Sequence, residues 1–319
     1  MIHLPEYDEL PRTKDGIPSG WGIFGEQDSI GLMNLLTPDA VKRAVSLVKD
    51  GTVFALDAEL DFFDPPLFGR TRMIRNSIQT RGGRGQNETY DDFDPQSASQ
   101  WDSLAHVAYA DNVFYNGATV DDVLNNRRNT IDNWARRGIV GRAVLIDLAR
   151  TSETNDRHYS PGSSHSFTVQ DFEEARRAAN VSFEVGDIIL LRTGFGEWYS
   201  SLDQKERERI STRESLEACG IEHTEEMARY LWNTHACAVA TDCPALEVWP
   251  MDLSEAAWPF GALHQIILGQ FGMGIGELWW LEDLARACAE DQRYEFMLTS
   301  APLHTVGGIG STANALAIR

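Results

Sequence analysis

The sequence predicts an α/β fold, a mixed sheet with covering helices, and three observations carry that prediction. From Ala143 onward, short continuous apolar runs alternate with capped amphipathic segments, the pattern of buried strands beneath helices. The chain has 319 residues, 42% hydrophobic and 24% charged, which is enough apolar material for a large core. No internal repeat or low-complexity linker divides it. Residues 1–319 therefore read as one domain, with 1–36 as an N-terminal extension packing on the core.

The elements follow in order. Trp21-Gly22-Ile23-Phe24-Gly25 and Asp28 to Leu36 read as a loop region rich in glycine and large apolar residues. The first clear helix is Thr37 to Asp50. Thr37 is its cap, Pro38 suits the first helical position, and Gly51 suits the left-handed position past its end. Residues Asp64 to Asp94, rich in Gly, Arg, Asn and Asp, read as a long loop whose arginines (Arg70, Arg72, Arg75, Arg81, Arg84) are solvated. A helix is expected from Thr119 to Arg137. Buried strands are expected at Ala143–Leu148, Asp187–Thr193 and Ala236–Thr241. Helices are expected at Thr168–Ala179, Thr224–Asn233, Phe260–Gln270 and Leu281–Glu290. Closing strands fall at Phe296–Ala301 and Ala313–Ile318.

Composition excludes several classes. There are 28 basic and 48 acidic residues, a net charge of -20, which repels nucleic acid and anionic lipid. No apolar run reaches the ~20 residues that span a bilayer. The polar, acidic stretch Met1 to Pro11 lacks the basic and apolar regions of a secretory signal. A cytoplasmic protein is expected. The four cysteines (Cys219, Cys237, Cys243, Cys288) form no CxxC pair, which argues against a zinc knuckle and suits a reducing compartment. Gly82-Gly83-Arg84-Gly85 lacks the lysine of a phosphate-binding loop, and no GxGxxG follows a first strand, so no nucleotide cofactor is expected.

Proton transfer near neutrality points to histidine. Of eight, only His106 and His264 lie in apolar settings. His106 has company: Gln100, Asp102 and His106 fall within seven residues. On a strand Gln100, Asp102 and His106 share one face; on a helix Asp102 and His106 are i and i+4. Either geometry sets a carboxylate beside an imidazole, where it orients the ring or joins it on a metal. Ser99 and Ser103 lack the Gly-x-Ser-x-Gly turn of an activated serine, so an activated water is the expected nucleophile.

The segment Gln96 to His106 resembles the signature His-x-Gly-Thr-His-x-Asp-x-Pro-x-His of the cyclase and kynurenine-formamidase-like family of metal-dependent hydrolases, which includes isatin hydrolase. Four further stretches resemble the family in order. They are Trp21-Gly22 through Asn34-Leu35-Leu36-Thr37-Pro38; Gly186-Asp187 through Arg192-Thr193-Gly194; His264-Gln265-Ile266-Ile267-Leu268 followed by Glu277-Leu278; and Pro302-Leu303 with Gly307 to Ser311. The resemblance implies a swivelling β/β/α domain and a homodimer or homotetramer. It implies zinc or manganese on the two signature histidines and the aspartate, with the last histidine as general acid and base. Carried over by position, Asp102 is a metal ligand and His106 the proton-transfer residue, while His264 and Glu277 match a later ligand pair. The signature histidines fall on Gln96 and Gln100, and the proline on Leu104. Gln100 can ligate through its amide oxygen, and an oxygen-rich set suits manganese or magnesium better than zinc.

The expectation is therefore a hydrolase of a small cyclic amide, lactone or aryl-amide. Asp102 and His106 are its catalytic residues; Asp102, Gln100, His264 and Glu277 hold a divalent metal; Trp101 and Gln96 lie against the substrate. The alternative is a metal-free or non-hydrolytic cyclase, dehydratase or isomerase of a biosynthetic pathway, or a ligand-binding protein.

Overall fold

A computed structural model describes residues 4–125 and 128–319. Thirteen strands appear in it: β1 Val53–Ala55, β2 Ile74–Thr80, β3 Gly85–Asp91, β4 Gln100–Asp102, β5 Ile139–Asp147, β6 Ser166–Phe167, β7 Ile188–Arg192, β8 Gly220–Ile221, β9 Ala238–Thr241, β10 Gly274–Glu277, β11 Glu295–Ser300, β12 Gly310–Thr312 and β13 Ala315–Ile318. The α-helices are α1 Pro38–Val45, α2 Val120–Leu124, α3 Asp132–Arg137, α4 Leu148–Thr154, α5 Val169–Ala178, α6 Phe195–Ser200, α7 Gln204–Ile210, α8 Glu225–Asn233, α9 Leu263–Ile266 and α10 Glu282–Asp291.

Nine strands form one mixed sheet in the order β1-β13-β11-β5-β7-β9-β10-β4-β12. The centre, β5-β7-β9-β10, is parallel, and the other pairings are antiparallel. The parallel strands carry near-continuous apolar runs because both faces are covered; Val144, Leu145, Ile146, Ile189 and Leu190 are all fully buried. Helices α1, α4 and α5 pack on β5 and β7. The edges curl toward each other. β12 and β13 are consecutive in the chain, yet β12 pairs β4 at one end of the order and β13 pairs β11 and β1 at the other. The turn between them is tied to both sides: Ala313 N–H donates to Ser99 O (3.0 Å) and Asn314 N–H to the Asp57 carboxylate (2.8 Å).

Local chemistry explains the helices that match the expectation. Thr168 caps α5, accepting from Asp171 N–H while the Asp171 side chain reaches back to Thr168 N–H. Thr224 caps α8, whose buried Met227, Ala228, Leu231 and Trp232 form one face. Other elements differ from expectation. The helix begun at Thr37 is α-helical only to Val45; past it Leu47 N–H and Val48 N–H bond Ala44 O and Val45 O in tighter turns, and Gly51 N–H bonds Arg319 O (2.7 Å). The loop read over 64–94 contains the hairpin β2–β3. Both of its faces are exposed, so it carries no apolar alternation to read, and Gly82 and Gly83 turn it with φ of 61° and 88°. Among the described residues the helix expected over 119–137 is two helices, α2, which ends at Leu124, and α3. Asn129, left-handed at φ 68°, lies before α3, and its amide holds Tyr115 O at 2.8 Å; Asn126 and Arg127 of that expectation lie outside the described residues. The helix expected over 260–270 is α9 followed by a π-helical turn, Ile267–Phe271.

Candidate active site

The site is built on β4, β10 and the start of α9. β4 is a strand, which resolves the two geometries left open by the sequence. Gln100 and Asp102 project from one face of it. β10 runs antiparallel beside it with Glu277 paired to Gln100, which brings Glu277 to the same face. β12 covers the other side with Gly310 opposite Asp102. A Cβ at Gly310 would lie 2.5 Å from Gln96 Cγ, so only glycine leaves room for the Gln96 side chain here. His106 sits in the turn after the strand, its N–H on Ser103 O at 3.0 Å.

These residues form one polar centre. His264 is buried at the start of α9, its Nδ1 2.8 Å from Glu247 Oε2 and its Nε2 3.0 Å from Glu277 Oε1. Asp102 Oδ2 lies 3.7 Å from the same Nε2, is fully buried, and has no hydrogen-bond partner among the described residues. Its other oxygen accepts from Gln96 Nε2 at 2.6 Å, and that nitrogen is also 3.3 Å from His106 Nδ1. Gln100 Nε2 donates to Glu277 Oε2 at 2.5 Å. His106 Nε2 is 3.9 Å from Asp102 Oδ1, and its side chain is 27% exposed. It borders a cleft of about 180 Å³, also lined by Phe68, Arg70, Arg213, Met251, His264 and Glu277.

The electrostatics follow from burying three carboxylates around one imidazole. Burial opposes the His264 cation, but Glu247, Asp102 and Glu277 together raise its pKa well above the usual range. Burial pushes Asp102 up, yet His106, His264 and Arg70 bring it net below the usual carboxylate value. Glu277 moves up, because of burial and the nearby Asp102 charge. Glu247 is held low, against burial, by the His264 charge and hydrogen bonds.

Asp102, His264 and Glu277 each offer a ligand atom within 4.8 Å of the others. The orphaned Asp102 oxygen in a buried site points to a missing partner. An imidazole with two carboxylates suits manganese or zinc, and Glu247 on the far ring nitrogen gives His264 the carboxylate partner that metal-bound histidines usually have. These residues fit one divalent cation.

Of the residues expected at the site, Asp102, His106, His264, Glu277, Gln96 and Gln100 come together. Gln100 meets the others as a donor to Glu277 Oε2 at 2.5 Å, with Oε1 facing Arg70 at 3.4 Å. Trp101, expected against the substrate, is corrected: alternation along β4 turns it to the opposite face, where it is fully buried. It packs edge-on to Trp279 (4.9 Å) and Trp134 (6.1 Å) and donates to Ser300 Oγ. Glu247 was not anticipated. Its one sequence signal is an acid inside the apolar run Pro244-Ala245-Leu246-Glu247-Val248-Trp249, where a charge needs a buried partner. Arg70, read as a solvated loop arginine, instead donates to Gln96 O and Gln100 Oε1.

A curled mixed sheet with a buried carboxylate–imidazole centre at its β4–β10 edge, opening on a small cleft, defines an α/β protein with an enzyme-like site. Residues 50–248 match the Cyclase family model, described as "Putative cyclase", and the chain belongs to that family. A crystal structure described as that of a novel cyclase superposes with a TM-score of 0.82 at 28% identity, covering 94% of this chain and 99% of that one. Isatin hydrolase A from Labrenzia aggregata, bound to benzyl benzoate, gives 0.58 at 17% identity over 86% of this chain and 95% of its own. An isatin hydrolase bound to the product analogue thioisatinate gives 0.57 at 16% identity, with 87% and 95% covered. The isatin hydrolases share the fold. No curated protein sequence matches the chain.

Proposed function

We propose that this protein hydrolyses a small cyclic amide, lactone or aryl-amide, with one divalent cation, manganese or zinc, held by Asp102, His264 and Glu277. The observation that carries the reading is the fully buried Asp102 Oδ2, without a hydrogen-bond partner among the described residues, turned toward His264 and Glu277 beside a partly exposed His106. The fold shared with the isatin hydrolases, enzymes of a cyclic amide by name, supports it. When bound, the cation polarises the scissile carbonyl and acidifies water.

The chain's own residues do the rest. Glu247 fixes the His264 ring through Nδ1. The Gln96 amide nitrogen lies between Asp102 and His106 and sets the distance between them. His106, at the cleft, takes a proton from the attacking water. The water oxygen bonds to the carbonyl carbon, the C–N or C–O bond breaks, and His106 returns the proton to the leaving nitrogen or oxygen. Met251, Pro244 and Ala245 give the cleft an apolar wall.

His106→Ala should lower turnover by about 10²–10⁴-fold while circular dichroism stays native. The screen uses isatin, aryl-formamides and lactones. Undiminished turnover would remove His106 from the mechanism.

One observation favours a second reading. Where the family signature has histidines, two amides donate to carboxylates, Gln96 to Asp102 and Gln100 to Glu277, and His264 bridges two acids. Such a network also suits a metal-free cyclase, dehydratase, isomerase or binding protein. Metal analysis after manganese and zinc supplementation separates the two: about one ion per chain supports the hydrolase, none supports the alternative.

A further inference from the structure

Forty-eight acids surround 28 basic residues in this chain, and most of its arginines find a carboxylate. Among the described residues two at the cleft make no ion pair, although the Arg70 charge still acts on Asp102 and Glu277. Arg213 lies 5.6 Å from the Phe68 ring centroid and 5.1 Å from that of Trp249. Among the described residues its guanidinium makes no ion pair and no hydrogen bond. Arg70, 5.3 Å from the same Phe68 ring, donates among the described residues only to the carbonyl of Gln96 and to Gln100 Oε1. Both line the cleft that holds His106.

The placing of these cations is built. Phe68 is left-handed at φ 61°, an unfavourable conformation for a bulky residue, and it packs edge-on to Trp249 at 4.9 Å. That conformation puts one ring within cation–π range of both guanidiniums. Arg213 is exposed, lies within cation–π range of both rings, and uses none of its N–H donors among the described residues. A flat fork with free donors matches a carboxylate. The surroundings make the positive charge more telling. The site buries Asp102, Glu247 and Glu277, and the whole molecule carries -20, so an anion approaching without these arginines would meet repulsion.

We propose that the molecule taken into this cleft carries a carboxylate, bound by Arg213, with its apolar body against Phe68 and Met251. The inference rests on the hydrolase reading only for which bond is then broken.

Calorimetric titration with benzoate tests it, with benzamide as the neutral counterpart of the same shape. Because a cation in the site would itself attract a carboxylate, the titration is run on chelator-treated and on manganese-loaded protein. In both, benzoate should bind about tenfold or more tightly than benzamide, less so at high salt. Arg213→Gln should lose about tenfold or more of the benzoate affinity, and Arg213→Lys should fall between, keeping the charge but not the fork. Equal binding of benzamide, unchanged benzoate affinity in Arg213→Gln, or no benzoate binding by the wild-type protein would each overturn it. Benzoate has no bond to hydrolyse, so Arg213-dependent binding stands even if no hydrolase activity is found. Hydrolysis without any preference for anions sinks this inference alone.

Discussion

At the scale of single residues, the site is a set of buried charges that hold one another in place. His264 is the hinge of the set, with Glu247 on one nitrogen and Glu277 and Asp102 on the other. Glu247 touches no ligand position. Its effect passes through the imidazole, whose orientation and basicity it sets. Glu247→Gln keeps an oxygen for the His264 N–H (3.2 Å) but removes the charge. Manganese affinity should fall by about 10–100-fold, read by calorimetry on metal-free protein. An unchanged dissociation constant would leave Glu247 as a packing residue. The sequence singles out Asp102 and His106 by their spacing, a pattern common by chance, and His264 by its apolar setting, while Glu277 is reached through the family resemblance alone. Glu247 and Arg213 were not legible. Each acts through a neighbour far along the chain, His264 for one and Phe68 with Trp249 for the other, and no spacing rule links them.

At the scale of elements, β4 sorts its three residues by alternation alone. Gln100 and Asp102 face the polar centre, and Trp101 faces the core. The sequence offers Trp101 as a wall of the pocket or, taken alone, as core packing, and the face that β4 gives it selects the core. The core assignment predicts a stability effect. Trp101→Ala should cost about 3–5 kcal/mol, since it vacates a fully buried indole between Trp279 and Trp134. Urea denaturation measures it; a loss under about 1 kcal/mol would mean that the indole is not part of the packed core. The strands easiest to read were β5, β7 and β9, whose apolar runs need no partner to be recognised. The hairpin β2–β3 and the three-residue strands β1 and β12 escaped because pairing, and not patterning, makes them strands.

At the scale of the whole molecule, the α/β class was legible because one architecture buries so many alternating runs, but the curl of the sheet was not: it depends on β12 and β13, three residues and four, splitting between its two ends. What joins the covering helices to one another is partly electrostatic and so depends on pH. Glu173 of α5 accepts from Arg176 (2.8 Å) and from the Tyr230 hydroxyl of α8 (2.5 Å). The Arg176 hydrogen bonds, helped by Tyr230, outweigh partial burial and bring its carboxyl from an ordinary 4.5 down to about 2. A carboxyl depressed on folding contributes stability that is complete above its unfolded value and is lost as pH falls through its folded value. The Glu173 contribution should therefore be full above pH 4.5 and fade toward pH 2. Acidification also protonates many of the 48 acids and relieves the repulsion of a -20 surface, which works in the opposite direction. The raw pH profile mixes the two. The difference between wild type and Glu173→Gln separates them, because the two proteins share nearly all of the global charge. Urea denaturation at pH 7 and at pH 3 should show the variant less stable than wild type at pH 7 and the gap narrowed at pH 3; a gap of the same size at both would mean that packing, and not the charge of Glu173, ties α5 to α8.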